Sequence, residues 1–373
     1  MLILVINCGS SSAKYQLFDI GENRSLAKGV VERIGSSGAC KDHSAAIKII
    51  VDALTDRRRG VIASKDEIEG IGHRVVHGGE EFKESTIITA KVIKSIKKYC
   101  ELAPLHNPPS LSGIEACSRI LKGIPQVAVF DTSFHQTMPE SAFIYGLPFN
   151  YYKKYGIRRY GFHGTSHRFV SEEAARVLRR PSKSLKLITC HLGNGCSITA
   201  VSGGKSIDTS MGFTPLEGLL MGTRSGDLDP AAVLYILEKE KLTIAQVNDI
   251  LNKESGLLGV SGVSNDMRDI IKGARGQGPG AKRCRLAMEI FIYRIKKYIG
   301  AYFAAMGGLD AVIFTAGVGE NNPWIMKRIS KELKDVVSKK TKFLIIPTNE
   351  ELLIARDAYN IIKTRGSNAK SKT

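Results

Sequence analysis

The same short pattern occurs twice, once in each half of the chain, and it restricts the fold more than any other feature. Residues 2–7 (LILVIN) read as a buried strand that runs into the small-residue turn CGSSS and then into a strand of alternating character, AKYQLFD. From Leu185 the stretch LKLITCHLGNGCSITAVSGGKSID repeats the arrangement: an apolar strand, a Gly/Asn turn at 193–195, a strand, the hairpin turn SGGK and a further strand. Aligning Gly9 with Gly193 sets Asn7 against His191 and Ser12 against Cys196. Stacked repeats recur every roughly 20 to 50 residues, and these copies lie much farther apart. The pattern therefore implies a duplicated α/β domain.

The chain has 373 residues, enough for two domains with a core in each at roughly 100 to 200 residues per domain. Two more apolar strands, IPQVAVFD (124–131) and LDAVIFTAG (309–317), run straight into polar or glycine-rich segments. Ligands of open α/β sheets bind at such strand ends, so two of them facing across an interdomain cleft would frame a nucleotide. The expected division is a first domain over 1–150, joined by a C-terminal helix at about 352–366, and a second over 151–351. Residues 367–373 read as a flexible polar tail.

A net charge of +18 raises the question of nucleic acid. The basic residues are dispersed, however, and the densest spots, Arg57–Arg59 and the tail around Lys370 and Lys372, lack interleaved aromatics. A positive field that draws in anionic small molecules is the better reading, with no nucleic acid and no membrane as partner. The opening apolar run Met1–Ile6 is too short for a signal-peptide core, which implies a cytoplasmic protein. Seven scattered cysteines without a CxxC pair signal neither a disulfide framework nor a zinc site.

Several segments could carry chemistry. The turn NCGSSSAK (7–14) offers a close backbone approach at Gly9, three hydroxyls and a cation, which suits a polyphosphate. HLGNGCS repeats its small residues, and AGVGEN (316–321) reads as a third glycine loop. GKS at 204–206 is no P-loop, because Thr199 stands where the motif needs glycine, and GVGENN ends in Asn322 where a dinucleotide fingerprint needs glycine or alanine. Arg74 lies in an apolar strand context, where a guanidinium needs an anion: a substrate carboxylate or an internal salt bridge. His163 and His167 stand four apart without an HExxH glutamate, so His163 reads as a donor to a phosphoryl oxygen or as a structural cap rather than a zinc ligand. Arg224, flanked by glycines and followed by Asp227 and Asp229, either places charge on a transferring phosphoryl group or pairs with an aspartate to fix a turn. Asp131, at the end of AVFD, is a Mg²⁺ neighbour or a helix cap.

Together NCGSSSAK, HRVVHGG, APLHNPP, FDTSFHQTMP, YGFHGTSH, HLGNG, DTSMGFTPLEGLLMGTRSGD, SNDMRD, FTAGVGEN and PTNEEL resemble the acetate kinase family from end to end. The resemblance implies the duplicated two-domain fold of the sugar kinase, Hsp70 and actin superfamily, related to ribonuclease H, with the active site in the interdomain cleft. It implies Mg²⁺-dependent, reversible transfer of the γ-phosphoryl group of ATP to acetate by a direct in-line step, with Mn²⁺ as an alternative metal, and a homodimer.

The resemblance also assigns residues. Asn7 and Glu350, or the adjacent Glu351, would serve the metal, and Ser10, Ser12 and Lys14 the phosphate turn. Arg74 would hold the substrate carboxylate, and Val76, Leu105, Phe162 and Pro215 its methyl group. Asp131, His163 and Arg224 would be catalytic. His191, Leu192, Gly193, Asn194 and Gly195, then Asp266, Met267 and Arg268, and finally Gly317, Val318, Gly319, Glu320 and Asn321 would hold the nucleotide. The chain is shorter than the family pattern between Glu32 and Asp42. The alternatives are a propionate or other short-chain acyl kinase, and a non-catalytic actin- or Hsp70-like ATP-binding interaction protein, which would need no carboxylate pocket.

Overall fold

A computed structural model of the chain describes residues 1–35, 40–104 and 106–370, the last five of these as backbone. The chain forms two compact units, Met1–Gln136 with Asn349–Thr373, and Thr137–Thr348. The stretch before the second repeat forms the helix Asn150–Tyr155 inside the second unit.

The first unit is built on a six-stranded mixed sheet of β1 (Leu2–Cys8), β2 (Ser12–Asp19), β3 (Arg24–Glu32), β4 (Ile68–Val75), β5 (Thr86–Ile87) and β6 (Gln126–Phe130), ordered β3-β2-β1-β4-β6-β5. β1 to β3 form an antiparallel meander, and β4 and β6 run parallel to β1. The helix His43–Leu54 adds Ile47, Ile50 and Leu54, and the helix Asn107–Ile120 adds Ala116 and Cys117, to a core with Leu4, Ile6 and Leu17. Burying each of those isoleucines and leucines is worth about 1.5–3 kcal/mol. The C-terminal helix Glu350–Lys370 packs on β1, β4 and β6. It approaches closely because β4 presents glycines: a Cβ on Gly72 would lie 2.6 Å from Ile354 Cγ2, and one on Gly70 2.5 Å from Ile362 Cδ1.

The second unit carries β7 (Lys186–Leu192), β8 (Cys196–Ser202), β9 (Lys205–Thr209), β10 (Ala311–Thr315) and β11 (Lys342–Ile345), ordered β11-β10-β7-β8-β9. β7 to β9 are antiparallel, and β10 and β11 run parallel to β7, so the succession of strands in β3-β2-β1-β4-β6 is repeated in β9-β8-β7-β10-β11. The register corrects one detail of the sequence alignment. Cys8 pairs with Ala13 but Leu192 pairs with Cys196, so Ala13, not Ser12, is the counterpart of Cys196. The first turn holds one residue more.

A second correction concerns 316–321. The expected glycine loop is the short helix Ala316–Asn321, begun by the tight bend at Ala316 (φ 64°) and fastened by Glu320 Oε1, which accepts from Ala316 N at 2.7 Å and Thr348 N at 3.2 Å.

Candidate active site

In the first unit, three parallel strands end side by side. The β1–β4 register sets Ile6 against His73, and the β4–β6 register sets Val75 against Phe130, so Asn7, Arg74 and Asp131 gather at one edge of the sheet. Asp131 is fully buried just past β6, its N–H donating to Val75 O at 3.0 Å. Arg74 Nη2 donates to Asp131 Oδ2, and its Nε lies 3.8 Å from Glu350 Oε2 at the start of the C-terminal helix. The internal salt bridge weighed for Arg74 is therefore present. Burial works against the charge, but Asp131 and Glu350 more than offset it and hold the guanidinium above the ordinary arginine range. Nε itself is buried and makes no hydrogen bond among the described residues.

The turn after β1 is closed by Gly9 N donating to Ser12 O at 2.8 Å, and Ser10 and Lys14 are exposed. Lys14 has no ion pair among the described residues. His43 braces this turn, its Nε2 lying 2.9 Å from Gly9 O. Sequence reasoning passed over His43, and nothing in the sequence links it to residue 9. Val76 is buried. Leu105 lies outside the described residues, as do residues 36–39 of the shortened stretch between Glu32 and Asp42.

In the second unit, His163 stands at the N-cap position of the helix Gly164–Leu178 in a left-handed conformation (φ 58°), and its side chain makes no capping hydrogen bond to that helix. The ring stacks on His191 at 4.1 Å between centroids. Its Nδ1 lies 2.8 Å from Ser197 Oγ. A Cβ placed on Gly195 would lie 3.5 Å from both His163 Nε2 and Arg224 Nη1, so ring and guanidinium converge on one small space above the β7–β8 turn.

The loop that carries Arg224 is pinned on both sides. Asp227 accepts from Gly218 N at 2.8 Å and from Tyr298 Oη at 2.7 Å, and Glu217 pairs with Arg159 at 2.5 Å. Asp229 caps the helix Pro230–Lys239. Neither aspartate is spent on Arg224, so the turn-fixing ion pair is corrected: the aspartates fix the turn through backbone and tyrosine groups. Among the described residues Arg224 forms no ion pair, and the one hydrogen bond of its side chain is a long 3.4 Å contact to Pro215 O. Burial pulls its guanidinium below the ordinary arginine range. A half-buried cation with no counter-charge among the described residues can take an anion that arrives from outside.

Beside this space is a cavity of about 700 Å³, in the range of a nucleotide site. Gly193 and Asn194 of the turn line it, with Asp266, Met267 and Arg268, and with Gly317, Val318 and Asn321. Asp266 caps the helix Met267–Ala274 and is held below the usual carboxylate range by hydrogen bonds from Arg268. Gly222 lets Asn194 lie close: a Cβ there would come 2.0 Å from Asn194 Oδ1 and push that side chain aside. His191, Leu192 and Gly319 are buried behind the wall, and Glu320 is occupied with its own helix start. Leu257, Asn265, Phe291 and Asn322 also line the cavity and were missed. Phe291 sits in the long helix Gly278–Met306, whose apolar spacing reads as ordinary core. Phe162 is buried and Pro215 half-buried.

A sequence profile described as the Acetokinase family matches residues 2–338. The chain belongs to this family. The acetate kinase of Halothermothrix orenii is 53% identical over 98% of this chain and the whole of its own. That alignment spans 401 positions, more than the 373 residues here, so the relative holds segments that this chain lacks. Among solved structures, the acetate kinase of Porphyromonas gingivalis matches with a TM-score of 0.91 at 43% identity, covering 97% of this chain and 99% of its own. A propionate kinase from Francisella tularensis matches at 0.88 and 41% identity, covering 96% and 99%. With two sheets of repeated topology, the fold is the duplicated sugar kinase and actin type expected from the sequence.

Proposed function

We propose that the protein is an acetate kinase that moves the γ-phosphoryl group of ATP reversibly onto acetate, giving acetyl phosphate and ADP. Beyond family membership, the observation that carries this reading is Arg224 and His163 converging beside Gly195, with no carboxylate on Arg224. Phosphoryl transfer needs positive charge and hydrogen-bond donors on the equatorial oxygens, preorganised in a site with little water.

In this reading the adenosine and inner phosphates occupy the cavity between Gly193, Asp266 and Gly317. Arg74 holds the acetate carboxylate, with Nε still unsatisfied and Asp131 fixing the guanidinium. Acetate is already ionised near neutral pH and needs no strong base, so positioning and charge stabilisation supply most of the rate. Asn7 and Asp131 at the strand ends and Glu350 at the start of the C-terminal helix offer oxygen donors, a set that suits Mg²⁺, or Mn²⁺, keeping several waters and binding nucleotide phosphate as well. The metal would neutralise charge on the phosphates. Val76, Phe162, Pro215 and Leu105 receive the methyl group, and an apolar wall discriminates one methylene by only about 1–3 kcal/mol. Propionate is therefore a second substrate in this reading, in keeping with the likeness to a solved propionate kinase.

No helix among the described residues is long and apolar enough to cross a membrane. A cytoplasmic homodimer is proposed. The helix Pro230–Lys239 buries none of its side chains, and Leu234, Tyr235 and the nearby Ile244 are 67%, 61% and 82% exposed, an apolar face suited to a second copy. The test of the reaction is to trap acyl phosphate with hydroxylamine from ATP, Mg²⁺ and acetate, propionate or butyrate. Turnover highest with acetate supports the proposal. Preference for a longer acid renames the substrate, and ATP binding without any acyl phosphate leaves an ATP-binding interaction protein.

A further inference from the structure

Behind His163 lies a chain of buried polar groups that the transfer step does not touch. Ser197 Oγ stands 2.8 Å from His163 Nδ1 and 2.7 Å from His167 Nε2, and His167 Nδ1 stands 2.7 Å from Thr189 Oγ1. Thr189, His167 and Ser197 are all fully buried. A hydroxyl has one proton, so Ser197 donates to one imidazole and accepts from the other, and the whole chain must run in one direction.

The end of the chain decides which. If His163 donated from Nδ1, Ser197 would donate to His167 Nε2, and His167 Nδ1–H would donate to Thr189. The Thr189 proton would then need another acceptor, and the His167 contact is the one side-chain hydrogen bond that Thr189 makes among the described residues. A buried hydroxyl proton left unbonded costs about 1–3 kcal/mol. In the opposite sense Thr189 donates to His167 Nδ1, His167 Nε2–H donates to Ser197, and Ser197 donates to His163 Nδ1. Every proton then has an acceptor.

We propose that Thr189, His167 and Ser197 form a positioning relay that holds neutral His163 as its Nε2–H tautomer, so that the proton points into the space it shares with Arg224 beside Gly195. The inference rests on the role given to His163 in phosphoryl transfer. With Nδ1 occupied by a donor, the ring can present only a proton at Nε2, which is what a phosphoryl oxygen requires, and the ring cannot turn over without breaking the Ser197 bond.

The test is ¹⁵N NMR of histidine-labelled protein, with His163 assigned by the signal lost in His163→Gln. The expected wild-type spectrum has His163 protonated at Nε2 and bare at Nδ1. Thr189→Val, a change outside contact with His163, is expected to mix the His163 tautomers and lower kcat by about tenfold with KM for ATP moving less than about threefold. Thr189→Ser should restore both. Ser197→Ala, which removes the bridge itself, should do at least as much. A wild-type His163 protonated at Nδ1, or a His163 tautomer indifferent to Thr189→Val, overturns the relay. If the tautomer shifts as expected while kcat stays at the wild-type value, the relay stands and the role of His163 in transfer fails.

Discussion

Gly195→Ala separates the proposed chemistry from the stability of the fold. Gly195 is not among the glycines with positive φ, so alanine fits its backbone. The added methyl would lie 3.5 Å from Arg224 Nη1 and from His163 Nε2 and Cε1, ordinary van der Waals contact that displaces nothing. Folding should be unchanged or slightly favoured, since Gly→Ala at a compatible position stabilises by about 0.4–1 kcal/mol through the unfolded chain. A phosphoryl oxygen, however, must come within about 2.9 Å of a donor to be bonded, and on this side the methyl keeps it out. Hydrogen bonds to charged groups are worth about 1.5–3 kcal/mol, so losing one or both corresponds to about 10- to 10³-fold in kcat after partial adjustment. The assay is acetyl hydroxamate formation at saturating ATP and acetate, beside thermal unfolding of the same samples. A variant that turns over within about threefold of wild type would refute the idea that the phosphoryl group lies between Arg224 and His163.

Asp131→Ala leaves Arg74 with Glu350 alone at 3.8 Å, and removing one partner of a buried pair should cost about 3 kcal/mol in urea unfolding as well as activity; an unchanged midpoint would contradict the pairing. His73 and His77 are buried, and burial brings each down to about 4 from 6.5. Between those values the unfolded chain binds more protons than the folded one, so stability is lost as pH falls from about 6.5 to about 4, by roughly 3 kcal/mol for each histidine, and is retained above. Chemical unfolding across that range checks the slope, which should be shallower in His77→Gln. Leu234→Glu on the exposed face of the helix Pro230–Lys239 should shift the protein toward monomer in analytical ultracentrifugation with its fold intact, and an unchanged mass would place the interface elsewhere.

The duplicated sheet was legible because short apolar runs such as LILVIN and LKLITC, each ending in a small-residue turn, are signals internal to each strand. The one-residue difference between the two turns was not, since both are made of small residues and only the pairing of Cys8 with Ala13 and Leu192 with Cys196 counts them. The glycines of AGVGEN suggested a loop, whereas Glu320 supplies the helix start with an acceptor that composition does not reveal. At Arg224, local sequence left an ion pair and an anion site equally open. Tyr298 decides between them by bonding Asp227, and it is 71 residues farther along the chain. Phe291 and Asn265 enter the cavity through tertiary packing alone. The Ser197 bridge joins residues 34 and 30 apart in sequence.

The central claim is that a carboxylate oxygen of acetate becomes bonded to the γ-phosphorus of ATP, and ³¹P NMR of a reaction with ¹⁸O-labelled acetate, ATP and Mg²⁺ tests it most directly. The expected result is an acetyl phosphate resonance carrying the isotope shift of ¹⁸O on phosphorus, matched by ADP. ATP consumed to unlabelled inorganic phosphate without any acyl phosphate would contradict the claim.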